Sequence, residues 1–191
     1  MLLLAHPYAG NQFPSGTVEE NETLDHAVLR EVAEEAGLVA PQVRIVKQID
    51  ALDDNLSEQT RIVTRKTKVY ARPDATSFDW AEFRRGVWVN VEREQNGFTQ
   101  VTYEELDDYP NGNYVSYRIT GWVPSDALTA KQRRHFFHLI ADGDTPETWT
   151  QFSDNHTFRL FWSPLAALAE IVYPQNRQFE YVRNELGYRF D

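Results

Sequence analysis

Three glutamates lie within five residues in the segment REVAEEAG, which covers positions 30–37. Carboxylate oxygens of Glu31, Glu34 and Glu35 are the ligands that hard cations such as Mg²⁺ and Mn²⁺ prefer. Two carboxylates ~5–6 Å apart repel by roughly 3 kcal/mol at an effective dielectric near 20, and a divalent cation would relieve that repulsion. Such an ion can also polarise a phosphate and activate a water. The alternative is an acidic helix face that is merely solvated, as such charge runs often are.

A helix predicted from about Thr23 to Ala36 positions these glutamates. Thr23 is suited to cap its start, Gly37 to end it, and neither Gly nor Pro interrupts the residues between. With 3.6 residues per turn, the three glutamates fall within an arc of roughly 100°. A different side of the helix carries apolar residues suited to a core, namely Val28, Leu29, Val32 and Ala36.

The surroundings of the glutamates resemble the Nudix box, G-x5-E-x7-R-E-U-x-E-E-x-G-U, in which U is an aliphatic residue. Every fixed position matches over residues 16–38: Gly16, Glu22, Arg30, Glu31, Val32, Glu34, Glu35, Gly37 and Leu38. Chance agreement at one starting position is on the order of 10⁻⁹ or less, given average residue usage. The resemblance implies an α/β fold, the Nudix α/β/α sandwich with a mixed sheet, and outweighs the interpretation as a solvated face.

The resemblance also implies catalytic roles for four residues of the helix. Glu34 and Glu35 would be the main metal ligands. Glu31 would be a further ligand or would help to deprotonate the attacking water, and Arg30 would pair with a neighbouring glutamate.

The loop before the helix has implied roles as well. Glu22 would tie this loop to the helix, Gly16 would permit the tight loop, and Gly37 would end the helix. The backbone carbonyl of Ser15 would be a metal ligand, at a position where the family commonly has glycine. One further acid often comes from a later loop, and the sequence leaves four candidates open: Asp142, Asp144, Glu147 and Asp154.

The histidines give weaker signals. His135 and His138 lie three apart on a predicted strand and would point to opposite faces, which argues against a zinc pair. His6, His26 and His156 could touch a phosphate, but we expect their positions to be incidental.

The middle of the chain contains short β runs punctuated by glycines. It resembles a bacterial SH3-like barrel in its A-R-P opening, its V-x-V strand and its G-W-V near the end. We therefore expect a Nudix domain in two parts, residues 1–63 and 130–191, interrupted by a small all-β barrel at residues 64–129. The alternative is a β-rich insertion without a function of its own. Aromatic residues could form a peptide groove there or fill the barrel core, namely Tyr70, Trp88, Phe98, Tyr103 and Trp122.

Other segments complete the prediction. A strand follows Pro41, after which residues 50–59 are expected to form a loop, as are residues 107–113. Phe158 and Trp162 are expected to share one buried strand face, and a helix over residues 175–186 is expected to end at Gly187. The family resemblance implies a strand upstream of MLLLA, so we expect an earlier start, or another segment or subunit that fills this place.

Composition narrows the function. The 191 residues include no cysteine, which excludes disulfides and thiolate chemistry. The net charge of −10 disfavours long nucleic acid, although a small phosphorylated ligand remains compatible if a metal ion accompanies it. No run approaches the ~20 apolar residues of a membrane span, and the N-terminus lacks a signal peptide's pattern, so we expect a cytoplasmic protein.

The resulting prediction is a hydrolase that uses Mg²⁺, with Mn²⁺ as a possible substitute. It would cleave a pyrophosphate bond in a nucleoside diphosphate linked to another moiety. The alternative is a nucleotide-binding sensor or scaffold without hydrolysis, in which the SH3-like module recruits a protein or peptide. A homodimer is possible, and the sequence does not identify the substrate.

Overall fold

The computed structural model of the chain describes residues 1–107 and 113–186, with side chains up to residue 183. Most of the predicted loop at 107–113, and the predicted helix end at Gly187, lie outside the described residues. The helices are α1 (Leu24–Ala36) and α2 (Gln175–Leu186). The strands are β1 (Leu2–His6), β2 (Gly10–Gln12), β3 (Val43–Asn55), β4 (Thr60–Val63), β5 (Thr67–Tyr70), β6 (Asp79–Phe83), β7 (Trp88–Gln95), β8 (Phe98–Leu106), β9 (Val115–Pro124), β10 (Leu128–Thr129), β11 (Lys131–Ala141), β12 (Thr148–Ser153) and β13 (His156–Trp162).

The described chain divides into two compact units. The first comprises residues 1–51 and 135–191, and the second comprises residues 52–134. The division falls within β3 and β11, which pair in a two-stranded sheet. The predicted boundaries at 63/64 and 129/130 stay a prediction.

The first unit is built on a four-stranded sheet in the order β12-β13-β1-β2. Strand β1 runs antiparallel to both neighbours, with Leu4 opposite Leu160 on β13 and opposite Gln12 on β2. Because alternate residues of a strand share a face, one face of this sheet carries the apolar residues that meet α1. The buried core is formed by Leu4, Val32, Ala36, Leu38, Val43, Phe158 and Leu160.

Helix α1 confirms the predicted helix almost to the residue. The Thr23 side chain accepts a hydrogen bond from the His26 backbone N–H, which caps the start. At the other end, Gly37 adopts φ +70° and its N–H donates to the Ala33 carbonyl at 3.0 Å. Val32 and Ala36 are buried as expected.

The second unit contains a seven-stranded sheet in the order β10-β4-β7-β8-β9-β5-β6. Its longest pairing joins β8 to β9, with Val101 opposite Gly121. A separate core lies on this sheet: Val63, Val69, Phe83, Val89, Val101, Ile119 and Val123. Of the predicted aromatic residues, Trp122 is buried, whereas Trp88 is 43% exposed.

Two local expectations were wrong. Residues 50–55 continue β3 rather than forming a loop, because a two-stranded ribbon leaves both of its faces open to polar side chains. Trp162 is 38% exposed, whereas Phe158 is buried as expected. The Trp162 indole N–H donates to the Thr145 hydroxyl at 2.8 Å, so its polar edge is satisfied near the surface.

Among the described residues, we find no helix with the length and apolar content that crossing a membrane requires.

Candidate functional site

Arg30 is the centre of a hydrogen-bond network on α1. Its Nε and Nη2 atoms donate to the two carboxylate oxygens of Glu22 at 2.9 and 3.0 Å, a bidentate pair. Its Nη1 donates to Glu31 at 2.8 Å and to Glu34 at 3.0 Å. Nη2 also reaches the Thr17 carbonyl at 3.1 Å. One guanidinium therefore joins the loop before α1 to two of the helix glutamates.

Glu22 is the most heavily bonded carboxylate of this network. Besides Arg30, it accepts hydrogen bonds from the Glu19 backbone N–H at 2.9 Å, and its other oxygen lies 2.9 Å from His26 Nδ1. The hydrogen bonds from Arg30, followed by the one from Glu19, lower the pKa of Glu22 to about 2. Its side chain is only 6% exposed. Glu22 thus remains ionised and fixes the loop against the helix.

Glu31 lies directly against the loop at Gly16. A Cβ atom added at Gly16 would sit 1.8 Å from Glu31 Cδ and 1.9 Å from its Oε1. Only glycine leaves room for this carboxylate, which gives a physical reason for the glycine that the box requires at position 16. Burial raises the pKa of Glu31 above its usual range, partly offset by Arg30 and reinforced by Glu34 and Asp154.

Glu35 lies beside the same loop, one residue further back along the chain. The Ser15 backbone N–H donates to Glu35 Oε2 at 2.9 Å. Burial raises the pKa of Glu35 to about 8, and the charges of Glu31, Asp154 and Glu34 push in the same direction. At neutral pH this carboxyl therefore holds a proton unless positive charge is supplied next to it.

A buried glutamine from α2 holds the loop from the other side. The Gln175 side-chain oxygen accepts from the Phe13 backbone N–H at 2.6 Å. Its amide nitrogen donates to the Phe13 carbonyl at 3.1 Å and to the Ser15 hydroxyl at 3.0 Å. Gln175 is 7% exposed. The sequence does not predict this role for Gln175, because no local pattern links position 175 to positions 13–15.

Strand β12 supports the C-terminal end of α1. The Trp149 indole N–H donates to the Ala36 carbonyl at 2.8 Å, and Gln151 Nε2 donates to the Glu34 carbonyl at 3.1 Å. These side chains satisfy helix carbonyls that have no partner within the helix. A side chain at Gly37 would approach Gln151, which adds a packing reason for glycine there.

The turn between β12 and β13 brings one of the four open acids to the box. Asp154 lies in this turn, and its charge raises the pKa of both Glu31 and Glu35. Asp142 instead pairs with Arg44, whose Nε lies 2.6 Å from Asp142 Oδ2. The structure therefore singles out Asp154 over Asp142 as the neighbour of the helix glutamates.

The predicted ligands are close together without being arranged as a finished metal site. Among the residues that the structure describes, no group of three or more His, Cys, Asp or Glu is in position to hold a metal ion. The reason is visible in the hydrogen bonds, since Glu31 and Glu34 face Arg30 and Glu35 faces Ser15. Glu34 is nevertheless 53% exposed and able to turn.

The donor set fits a hard divalent cation. It offers partly buried carboxylate oxygens beside a loop whose glycine lets the Glu31 carboxylate approach the backbone closely. Burial is the main cause of the raised pKa values of Glu31 and Glu35, and the charges of Glu34 and Asp154 add to it, so a cation beside them would favour their ionised forms. Such a site suits Mg²⁺ or Mn²⁺ better than zinc, which favours nitrogen and sulfur ligands.

Comparison with known families adds one finding. The family model of the NUDIX domain matches residues 1–109, which is more than half of the chain and includes the whole box. The comparisons with curated proteins and with solved structures gave no match. The resemblance of the middle segment to an SH3-like barrel stays a prediction, whereas the predicted family is confirmed. This chain belongs to the Nudix family.

Proposed function

We propose that this protein is a metal-dependent hydrolase that cleaves the pyrophosphate bond of a nucleoside diphosphate linked to another moiety. The observation that carries the proposal is the position of Glu31 and Glu35 against the loop at residues 15–16. Two partly buried carboxylates with raised pKa values lie there beside Asp154. A divalent cation would neutralise this charge and attract a pyrophosphate to a protein whose net charge of −10 otherwise repels it.

The chain's own residues have distinct roles in this proposal. Glu34 and Glu35 would hold Mg²⁺ or Mn²⁺, together with the Ser15 carbonyl. The bound ion supplies charge stabilisation of the phosphate and lowers the pKa of a coordinated water. Glu31 joins these ligands or accepts a proton from the attacking water, and Arg30 keeps Glu31 and Glu22 in place. Asp154 is our choice for the additional acid from a later loop.

A substrate panel tests the proposal. The purified protein is incubated with ADP-ribose, nucleotide sugars and dinucleoside polyphosphates, with Mg²⁺, with Mn²⁺ and with a chelator. We expect phosphorylated products in the metal-containing samples alone. The Glu34→Gln variant removes a negative charge and a ligand from an exposed position, and we expect its rate to fall by orders of magnitude without loss of folding.

The matched control is Glu20→Gln, which removes the same charge from an exposed position of the same loop. We expect this variant to retain the wild-type rate. Equal rates for Glu34→Gln and the wild type, or a similar loss in both variants, would contradict the assignment.

A second candidate is a nucleotide sensor or scaffold without hydrolysis. It is favoured by the bonds from Arg30 to Glu31 and Glu34, since these carboxylates already have a cation as partner. In this candidate, an SH3-like module at residues 64–129 recruits a protein or peptide. Exposed aromatic residues such as Trp80 and Trp88 are available there for contact. Binding of a panel member without metal-dependent products would favour the sensor over the enzyme.

A further inference from the structure

Three rings are clustered at one end of the four-stranded sheet. His6 ends β1, Tyr8 follows in the turn to β2, and His156 begins β13. Their ring centroids are 4.8 Å apart for His6 and His156, 6.1 Å for His6 and Tyr8, and 6.0 Å for Tyr8 and His156. We refer to His6, Tyr8 and His156 as the ring cluster.

The ring cluster continues the sheet face on which α1 packs. His6 lies two residues from Leu4, and His156 lies two residues from Phe158, so each histidine shares a strand face with a core residue. The Phe158 ring centroid is 5.5 Å from that of His6 and 6.4 Å from that of His156. The cluster is therefore the open end of the apolar surface beneath the box helix.

The same end of the sheet borders the box glutamates. Strand β12 donates side-chain hydrogen bonds to α1, from Trp149 to the Ala36 carbonyl and then from Gln151 to the Glu34 carbonyl. The strand therefore runs towards the N-terminal half of α1 and leads into the turn before His156. Hence the carboxylates and the rings lie on one side of the sheet, joined by a single short turn. A ligand with its phosphates at the glutamates would have the rings on the same side of the sheet.

The His6 ring is held in one orientation and is uncharged. His6 Nδ1 accepts hydrogen bonds from the backbone N–H groups of Tyr8 and Ala9, both at 3.1 Å, which requires an unprotonated Nδ1. Burial, together with the adjacent His156, lowers the pKa of His6. Tyr8 is 57% exposed, so the cluster offers ring surface to a ligand.

We propose that His6, Tyr8 and His156 form a stacking site for the nucleobase of the substrate. A base is flat and uncharged, so it can bind beside an acidic surface without a counter-ion, and aromatic side chains stack on every base. The proposal rests on the proposed function, because the phosphates of the same ligand are placed at the box. It assigns base binding to residues outside the box.

Binding measurements test the ring cluster without requiring turnover. Calorimetric titrations in Mg²⁺ compare ADP, which has a base, with inorganic pyrophosphate, which has none. We expect Tyr8→Ala to weaken ADP binding by about 5-fold to 100-fold, in line with the loss of one aromatic–base stack. Pyrophosphate binding should change by less than about twofold, and Tyr8→Phe should retain ADP binding because the ring is kept. His156→Ala provides a second variant with the same expectation as Tyr8→Ala.

Phe152→Ala is the matched control. Phe152 is 67% exposed and lies close to the same turn, but it alternates with Gln151, which points to α1, and so belongs to the opposite sheet face. The proposed stacking site is refuted if Tyr8→Ala leaves ADP affinity unchanged or weakens the binding of ADP and of pyrophosphate equally. It is refuted as well if Tyr8→Ala and Phe152→Ala change ADP affinity by the same factor. It is also refuted if the wild type binds pyrophosphate but gains nothing from the base of ADP.

The outcomes separate the two proposals. Metal-dependent products from the substrate panel with an unaffected Tyr8→Ala variant would remove the stacking site alone. Ring-dependent ADP binding without any products would remove the hydrolase assignment alone.

Discussion

The protein shifts the pKa values of two box glutamates, Glu22 and Glu35, in opposite directions. Arg30 lowers the pKa of Glu22 to about 2, whereas burial raises that of Glu35 to about 8. Glu22 pairs with the Arg30 guanidinium, whereas among the described residues Glu35 accepts a hydrogen bond from the Ser15 backbone N–H alone. Glu22 is therefore ionised in a fixed structural pair, whereas Glu35 would become ionised at neutral pH if a cation bound beside it.

The Glu35 carboxyl should reduce stability as the pH rises. Its pKa in the folded chain exceeds the ordinary value of 4.5, so the folded state holds the proton more tightly than the unfolded state. In a chelator, the free energy of unfolding should fall between about pH 4.5 and pH 8, by at most about 1.4 kcal/mol for each pKa unit. Urea denaturation at several pH values measures this fall.

Glu35→Gln should lack that loss and exceed the wild type in stability at pH 8 without metal. Addition of Mg²⁺ should stabilise the wild type at pH 8 and leave the variant unchanged, because the ligand charge is gone. Parallel pH profiles for the two proteins would show that Glu35 is not the group responsible.

At the residue scale, spacing alone predicts the side that Glu31, Glu34 and Glu35 share, because a helix has a fixed period. It does not predict that Arg30 bonds Glu22, Glu31 and Glu34 at once, since that depends on the path of the preceding loop. Asp154 could not be chosen over Asp142 either. The choice follows from the β12–β13 pairing, which no short pattern around either residue encodes.

At the scale of elements, the loop before α1 is held between two helices. Arg30 of α1 bonds its Thr17 carbonyl, and Gln175 of α2 bonds Phe13 and Ser15. The backbone N–H that reaches Glu35 belongs to this loop. Helix α2 therefore contributes to the geometry of the site through the uncharged side chain of Gln175.

Gln175→Ala should impair the site more than the fold. It leaves the partly buried Phe13 N–H and carbonyl without these partners, at a cost of about 1–3 kcal/mol in the free energy of unfolding. Because Ser15 also loses a contact, we expect the Mg²⁺ concentration for half-maximal activity to rise several-fold. Metal titrations of the hydrolysis rate measure this change.

Gln178→Ala is the control, since Gln178 is a second buried amide on the same helix and the bonds to Phe13 and Ser15 belong to Gln175. It should lower stability without altering the metal requirement. A shift of equal size in both variants would mean that Gln175 acts through general helix packing.

The elements themselves were predictable to different degrees. Thr23 and Gly37 are strong end signals, so the sequence predicts α1 to within one residue. Strand β3 extends to Asn55 although its last residues are polar, because an exposed ribbon shows no apolar alternation. The residues at its two ends determine where a helix begins and stops, whereas the length of a two-stranded ribbon depends on pairing with a distant strand.

At the scale of the whole molecule, the two compact units have separate hydrophobic cores and very different net charges. Each compact unit has a hydrophobic core of its own, and among the described residues the two cores share no member. Residues 52–134 contain 12 Lys and Arg against 13 Asp and Glu, so nearly all of the net charge of −10 lies in the unit that carries the box. The acidic character of the protein is thus a property of the proposed site's own unit.

Val101→Ala should loosen the second unit alone. Val101 is fully buried in the second core, so its truncation removes apolar contacts and leaves a cavity. Hydrogen exchange should accelerate at amides of residues 52–134, with protection of α1 unchanged. Leu160→Ala, in the first core, should have the reverse pattern. Faster exchange throughout the chain in either variant would contradict independent cores.

Short β runs and turn glycines in the middle of the sequence predict that the family domain is interrupted at residues 64–129. The compact unit at residues 52–134 is wider than the predicted insertion at 64–129. It includes parts of β3 and β11, strands that continue into the other unit. Composition does not reveal where a continuous strand passes from one packed body to another.

The hydrogen bonds from Gln175 to Phe13 and Ser15 join distant parts of the sequence, which affects when the proposed site is completed during synthesis. A nascent chain displays every box residue once position 38 has left the ribosome, yet the amide that secures Phe13 and Ser15 follows only after more than 130 further residues. Contacts so distant in sequence form late, since the long intervening segment must first be brought round. We therefore expect the loop at Phe13 and Ser15 to remain unsecured until Gln175 has been synthesised and has folded back onto it.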